Sequence, residues 1–115
     1  MDNILKKMEE QVVREMKNYH QLRGTKLWDY RIAARDLVCQ VGSLNKLIMQ
    51  LEGERFKHQK TQGQIKEEIA DELADILSMV LFIAHELNID IQEAWDGMLQ
   101  SDEQKFKVAR YLENT

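Results

Sequence analysis

Between Glu67 and Leu87 the chain runs through twenty-one residues without a glycine or proline, and its apolar positions recur at helical spacing. At about 100° per residue, Ile69, Leu73, Ile76, Val80, Ala84 and Leu87 fall on one face of a helix. Glu68, Glu72 and Asp75 form a second stripe beside that face, with Glu72 nearest its apolar edge. Carboxylates stacked in this way repel one another and are partly desolvated unless a cation compensates them. They are therefore a candidate hard-cation site. The bland reading competes with this one. Acidic residues early in an amphipathic helix suit its dipole and ordinarily form a solvated face.

The remainder of the chain favours more helices. It contains no Pro and only five Gly in 115 residues, a profile suited to long helices rather than a turn-rich β fold. That length accommodates one domain, 1–115, around one core. The formal charge of −4 is made of interspersed signs, which leaves no basic footprint for DNA or RNA and no polybasic segment for a membrane. Cys39 is alone, so neither an internal disulfide nor a Cys-rich zinc site is expected. The first residues lack a signal-peptide pattern, and no apolar run approaches the roughly 18 residues of a membrane span. A cytoplasmic location is the expectation.

A first helix is predicted over 3–22, with Leu5, Met8, Val12, Met16 and Tyr19 inward. Gly24 and Thr25 interrupt it. A second helix is predicted from about Trp28 to Leu51, burying Ala34, Leu37, Val38, Val41, Leu44 and Ile48, and Gly53 stops it. Residues 53–63 read as a polar, basic loop. Thr61 with Gln64 resembles a capping box for a third helix from about Gln64 to Leu87. Asp90 and Glu93 are a start signal for a fourth helix carrying Ile91, Ala94, Trp95 and Met98. Ser101 and Gln104 mark the opening of a last helical segment. Short connections favour antiparallel neighbours, hence a bundle of four main helices.

On the second helix, Asp36, Gln40 and Ser43 occupy the stripe that would meet Glu72 if helices two and three pack antiparallel. The segment Leu37-Val38-Cys39-Gln40-Val41-Gly42-Ser43-Leu44, followed by Glu72-Leu73-Ala74-Asp75, resembles the MazG-type all-α nucleoside triphosphate pyrophosphohydrolases. The resemblance covers about Leu37 to Phe106 and includes Asn88-Ile89-Asp90-Ile91-Gln92-Glu93-Ala94. In that family, carboxylates from two helices hold magnesium against a triphosphate, and attack by water releases pyrophosphate. The resemblance implies a homodimer or homotetramer. It also implies a magnesium role for Glu72 and Asp75, supported by Glu68 one turn earlier, and a substrate role for Lys105.

The departures carry as much information. Where the family has Glu-Glu-x-x-Glu on its second helix, this chain has Cys39, Gln40 and Ser43. Where the family has a later Lys and Asn, it has Met98 and Asp102, and only Lys105-Phe106 keeps that pattern. Magnesium often needs one or two carboxylates, with phosphates and waters completing its shell, so Glu72 and Asp75 suffice for one ion beside a nucleotide. Asp36, one turn from Gln40, is a partial substitute. Loss of the water-positioning group typically costs about 10²–10⁴-fold in rate. The expectation is a homologue with an incomplete magnesium site and weak or no hydrolysis. The alternative is a nucleotide-binding or oligomeric interaction protein on the same fold. Arg55, Lys57, His58 and Lys60 read as a solvated loop, Trp28 and Trp95 as core or subunit contacts, and Cys39 as a small packed thiol.

Overall fold

A computed structural model describes residues 3–26 and 28–114; the start of the N-terminal stretch read above, Met1 and Asp2, lies outside them. They form α1 (Ile4–Arg23), α2 (Tyr30–Leu51), α3 (Gln62–Glu86) and α4 (Ile91–Glu113), with no strand among them.

The helix ends are made by local chemistry. The Thr61 hydroxyl accepts from Gln64 N–H at 3.1 Å, and Gln64 Oε1 accepts from Thr61 N–H at 2.8 Å. The capping box is thus complete and starts α3 two residues before the periodicity suggests. Asp90 accepts from Glu93 N–H at 3.0 Å and opens α4. Between them, Asn88 takes a left-handed φ of 56°. That turn lets Ile89 N–H reach Ala84 O at 2.8 Å and Asn88 N–H reach His85 O at 3.1 Å, closing α3 in a Schellman turn. Gly24, at φ 65°, ends α1. No break falls at Ser101: α4 is one continuous helix.

At the start of α2, Asp29 Oδ1 accepts from Arg31 N–H at 2.9 Å and Ile32 N–H at 3.0 Å. The Ile32 amide bond, with help from the Arg31 guanidinium, holds the Asp29 carboxyl below the usual carboxylate range. A depressed folded-state pKa contributes stability that is present above the unfolded value and lost as pH falls through the folded one. Asn also caps helices but carries no charge. The stability difference between the native chain and Asp29→Asn should therefore be constant near neutrality and shrink below about pH 4. Parallel acid titrations of melting temperature would show this; a difference unchanged down to about pH 2 would refute it.

Helices α2 and α3 lie antiparallel, with Gln62 Nε2 donating to Leu51 O at 3.4 Å beside their connection. Helix α1 runs antiparallel to α3 on one side of this hairpin, and His85 Nδ1 lies 3.5 Å from Glu9 Oε1. The three helices meet at Val13, Ala33, Met79 and Phe82, against which Met16, Trp28 and Leu37 pack. Trp28 is thus partly buried against this core. His20, also buried, shares a 2.7 Å hydrogen bond with the Thr25 hydroxyl. Helix α4 packs on α1, where Gln92 Oε1 accepts from Leu5 N–H at 3.2 Å, and it buries no residue.

Two expectations about packing need correction. The inward face of α2 is lined by Ala33, Asp36, Leu37, Gln40, Leu44 and Leu47, while Val38 is 73% exposed and Ala34, Val41 and Ile48 are exposed as well. Periodicity located an apolar stripe but not which flank α3 would cover. Likewise Tyr19, Leu73, Leu87, Trp95 and Met98 stand exposed in the single chain, and α4 packs on α1 without closing the bundle. The extents of 61 × 40 × 24 Å and radius of gyration of 18.6 Å express the same openness. A closed domain of this length has a radius of about 13 Å.

Candidate functional site

The antiparallel register sets Ser43 on α2 beside the acidic start of α3. Ser43, Lys46 and Gln50 form one wall of an open groove of about 430 Å³, and Glu68, Asp71 and Glu72 form the other. Lys60 closes its end, with its Nζ 2.8 Å from Glu68 Oε2. It reaches there because residues 52–61 fold back on the hairpin. Gln50 Nε2 donates to Phe56 O at 3.2 Å, and His58 and Gln59 both take positive φ. Such φ values are uncommon for non-glycine residues and reverse the chain just before Lys60. The loop basic cluster is thus divided. Lys60 belongs to the groove, whereas Arg55 and His58 remain exposed.

Of the residues singled out from sequence, the groove brings together Ser43, Glu68 and Glu72. Glu68 and Glu72 are half-buried. Asp75 is exposed and does not line the groove. Asp71, turned further from the packed face than Asp75, does line the groove, so Asp75 is left out because it lies one turn beyond Asp71 along α3. Asp36 and Gln40 lie half-buried along the α2–α3 seam, outside the groove lining. Gln40 Oε1 is shut off from solvent there without a hydrogen-bond partner among the described residues. Gln50 Oε1 is in the same state, in a side chain whose residue is 7% exposed. Lys105 is exposed in the second half of α4, the helix that packs on α1, and it does not line the groove. Cys39 is exposed, not packed.

Sequence reasoning passed over Lys46, Gln50, Asp71 and the part played by Lys60. A signal for two of them was present. Ser43, Lys46 and Gln50 follow i, i+3, i+7 spacing and so share a face. Lys60 had no such signal, since its position depends on the turn at His58 and Gln59.

Electrostatically the groove sets three carboxylates against two ammonium groups. No three His, Cys, Asp or Glu side chains among the described residues form a group able to hold a metal ion. The donor set does not fit a multi-metal centre. It fits one magnesium ion at most, held by Glu72 with or without Glu68 and completed by phosphate oxygens and water. Lys46 and Lys60 are placed to meet phosphate charge. Ser43 and the seam residue Gln40 offer hydrogen bonds but no general base near neutral pH. Comparison with known proteins finds no match to a family model, a curated protein or a solved structure.

Proposed function

We propose that this chain is a MazG-like all-α domain that takes a nucleoside triphosphate, with one magnesium ion, in the α2–α3 groove and hydrolyses it weakly or not at all. The observation that carries the reading is the meeting of Glu68 and Glu72 with Ser43, Lys46 and Lys60 in one groove. The carboxylates suit a hard cation and the ammonium groups suit a phosphate chain. Magnesium would supply charge neutralisation along that chain. The protein's own side chains would bind and orient it: Lys60 would exchange Glu68 for a phosphate oxygen, and Ser43 would donate a hydrogen bond. With glutamine at position 40 and serine at position 43, no carboxylate on this stretch of α2 would take a proton from an attacking water, which is the reason for weak turnover.

Melting curves with magnesium and a non-hydrolysable triphosphate test the binding. Ligand at about 100-fold over its Kd stabilises by about 2.7 kcal/mol, roughly a 10 °C rise for a domain of this size. Glu72→Ala should abolish the magnesium-dependent part of that rise. An equal rise in the variant would place the site elsewhere. Pyrophosphate release near the ordinary enzyme median of about 10 s⁻¹ would overturn the weak-turnover part.

A second reading, a domain that assembles copies of itself as a homodimer or homotetramer, draws on the shape of the chain. The molecule exposes 9092 Å² at a mass of 13.6 kDa. A closed monomer of that mass exposes about 6,600 Å². The two readings are compatible, since the groove and the open apolar surfaces lie in different places.

A further inference from the structure

The connection between α2 and α3 has no apolar anchor. None of residues 52–60 is buried, and Phe56 is 73% exposed, its ring stacked edge-on against His58 with centroids 4.9 Å apart. A segment without buried apolar contacts is held to the protein by its polar bonds and opens locally with ease. Two side-chain bonds tie its middle and its end to the helices. Gln50 Nε2 donates to Phe56 O at 3.2 Å, and Lys60 Nζ donates to Glu68 Oε2 at 2.8 Å.

The closed form carries unfavourable features that opening relieves. His58 and Gln59 take φ of 52° and 65°, a left-handed backbone that persists in such residues only where the surroundings hold it. Gln50 is 7% exposed and lines the groove. With its Nε2 committed to Phe56 O, its Oε1 is the end left without a partner. An unpaired buried acceptor is destabilising, and release of Phe56 O frees the amide to turn toward water or another donor. The closed form therefore leans on the bond between Lys60 and Glu68. That bond lies inside the groove, where a ligand competes for both of its partners: a cation for Glu68 and an anion for Lys60.

We propose that residues 52–61 are a strap latched by Lys60, and that the occupant of the groove sets the latch. With the groove empty, the ammonium group closes on Glu68. A divalent cation drawn to Glu68 and Glu72 takes that carboxylate and repels the ammonium group, so the strap loosens. A polyphosphate arriving with the cation gives Lys60 a new acceptor, so the strap closes on the ligand. The inference rests on the magnesium–triphosphate reading of the groove and adds an order to it: metal opens, phosphate closes. Lys46, the other ammonium group of the groove, is carried by α2, so its bonds to a ligand leave the strap where it is.

Limited trypsin digestion of the full chain reads the strap. Arg55 and Lys57 lie within it, and cleavage follows the open population when opening and closing are fast. An ion pair of this exposure shifts an equilibrium by up to about fivefold. Magnesium chloride should raise cleavage after Arg55 and Lys57 by about two- to fivefold over sodium chloride of equal ionic strength. Addition of a non-hydrolysable triphosphate should return it to the metal-free rate or below. Lys60→Gln, a change outside the core, should be cleaved at the raised rate in all three conditions. Cleavage of Lys60→Gln at the native metal-free rate would overturn the latch, whatever the ligands do. Native cleavage unmoved by magnesium and triphosphate, while melting curves show a Glu72-dependent rise, would overturn the strap's response and leave the groove reading standing. No melting rise and no change in native cleavage, with Lys60→Gln still cleaved fast, would overturn the groove reading and with it the ligand control of the strap.

Discussion

Glutamate introduced at both Gln40 and Ser43 should raise magnesium-dependent pyrophosphate release by about 10²–10⁴-fold, the range that a positioned general base contributes. The physical case rests on the register of α2 against α3. Ser43 and Glu72 line one groove, so Gln40, a turn earlier on α2, lies level with the next turn of α3. The groove's three carboxylates would be joined by a fourth at position 43, with a fifth at position 40 beside them on the seam. The same change carries a second signature. Without metal the added charges repel Glu68 and Glu72, and the one at position 40 enters a half-buried seam. The variant's melting temperature should therefore fall below that of the native chain without magnesium and recover when magnesium is added. Lowered stability with no recovery, together with unchanged pyrophosphate release, would mean that these helices do not frame a phosphate site. The result would be informative in either direction, because the native Gln40 and Ser43 are the positions on which weak turnover is argued.

Phe82→Ala should cost about 3–5 kcal/mol in urea denaturation, the usual range for truncating a buried aromatic side chain. Phe82 is 1% exposed and sits where α1, α2 and α3 meet through Val13, Ala33 and Met79. Three separate elements therefore lose contacts at once, and the cavity has little to collapse it, since Ala33 opposite is already small. Set against a typical stability of about 5–15 kcal/mol, the loss is enough to leave the chain largely unfolded at modest denaturant. The fully buried core is small, so few other positions can carry comparable weight. Leu87→Ala, at an exposed position near the α3 terminus, is the natural contrast. A Phe82 loss below about 1 kcal/mol, the ordinary effect of a point substitution, would mean that the core is not centred there.

What was legible in the residues is what local chemistry decides. Thr61 with Gln64, Asp90 with Glu93, and Gly24 each act over three or four residues, and each marks a helix end in the structure. The four main helices follow from uninterrupted periodicity. The groove was legible in part, because Glu68 and Glu72 share a face of α3 whatever that face meets. Asp75 had the same credentials in sequence, yet it lies one turn beyond Asp71 along α3, past the groove, and is exposed.

The amino-acid sequence by itself determined an all-helical chain, its helix ends and the chemical types along each stripe, since these depend on contacts within one turn. Only the tertiary structure decided which flank of α2 would meet α3, that Lys60 would turn into the groove, and that α4 would pack on α1. The reason is that α2 carries two adjacent inward-capable stripes. Ala33, Leu37, Gln40 and Leu44 lie on one, and Ala34, Val38, Val41 and Ile48 on the other, about a quarter-turn away. Periodicity reports that both exist, but which one is buried depends on the neighbour, and the neighbour is chosen by long-range packing.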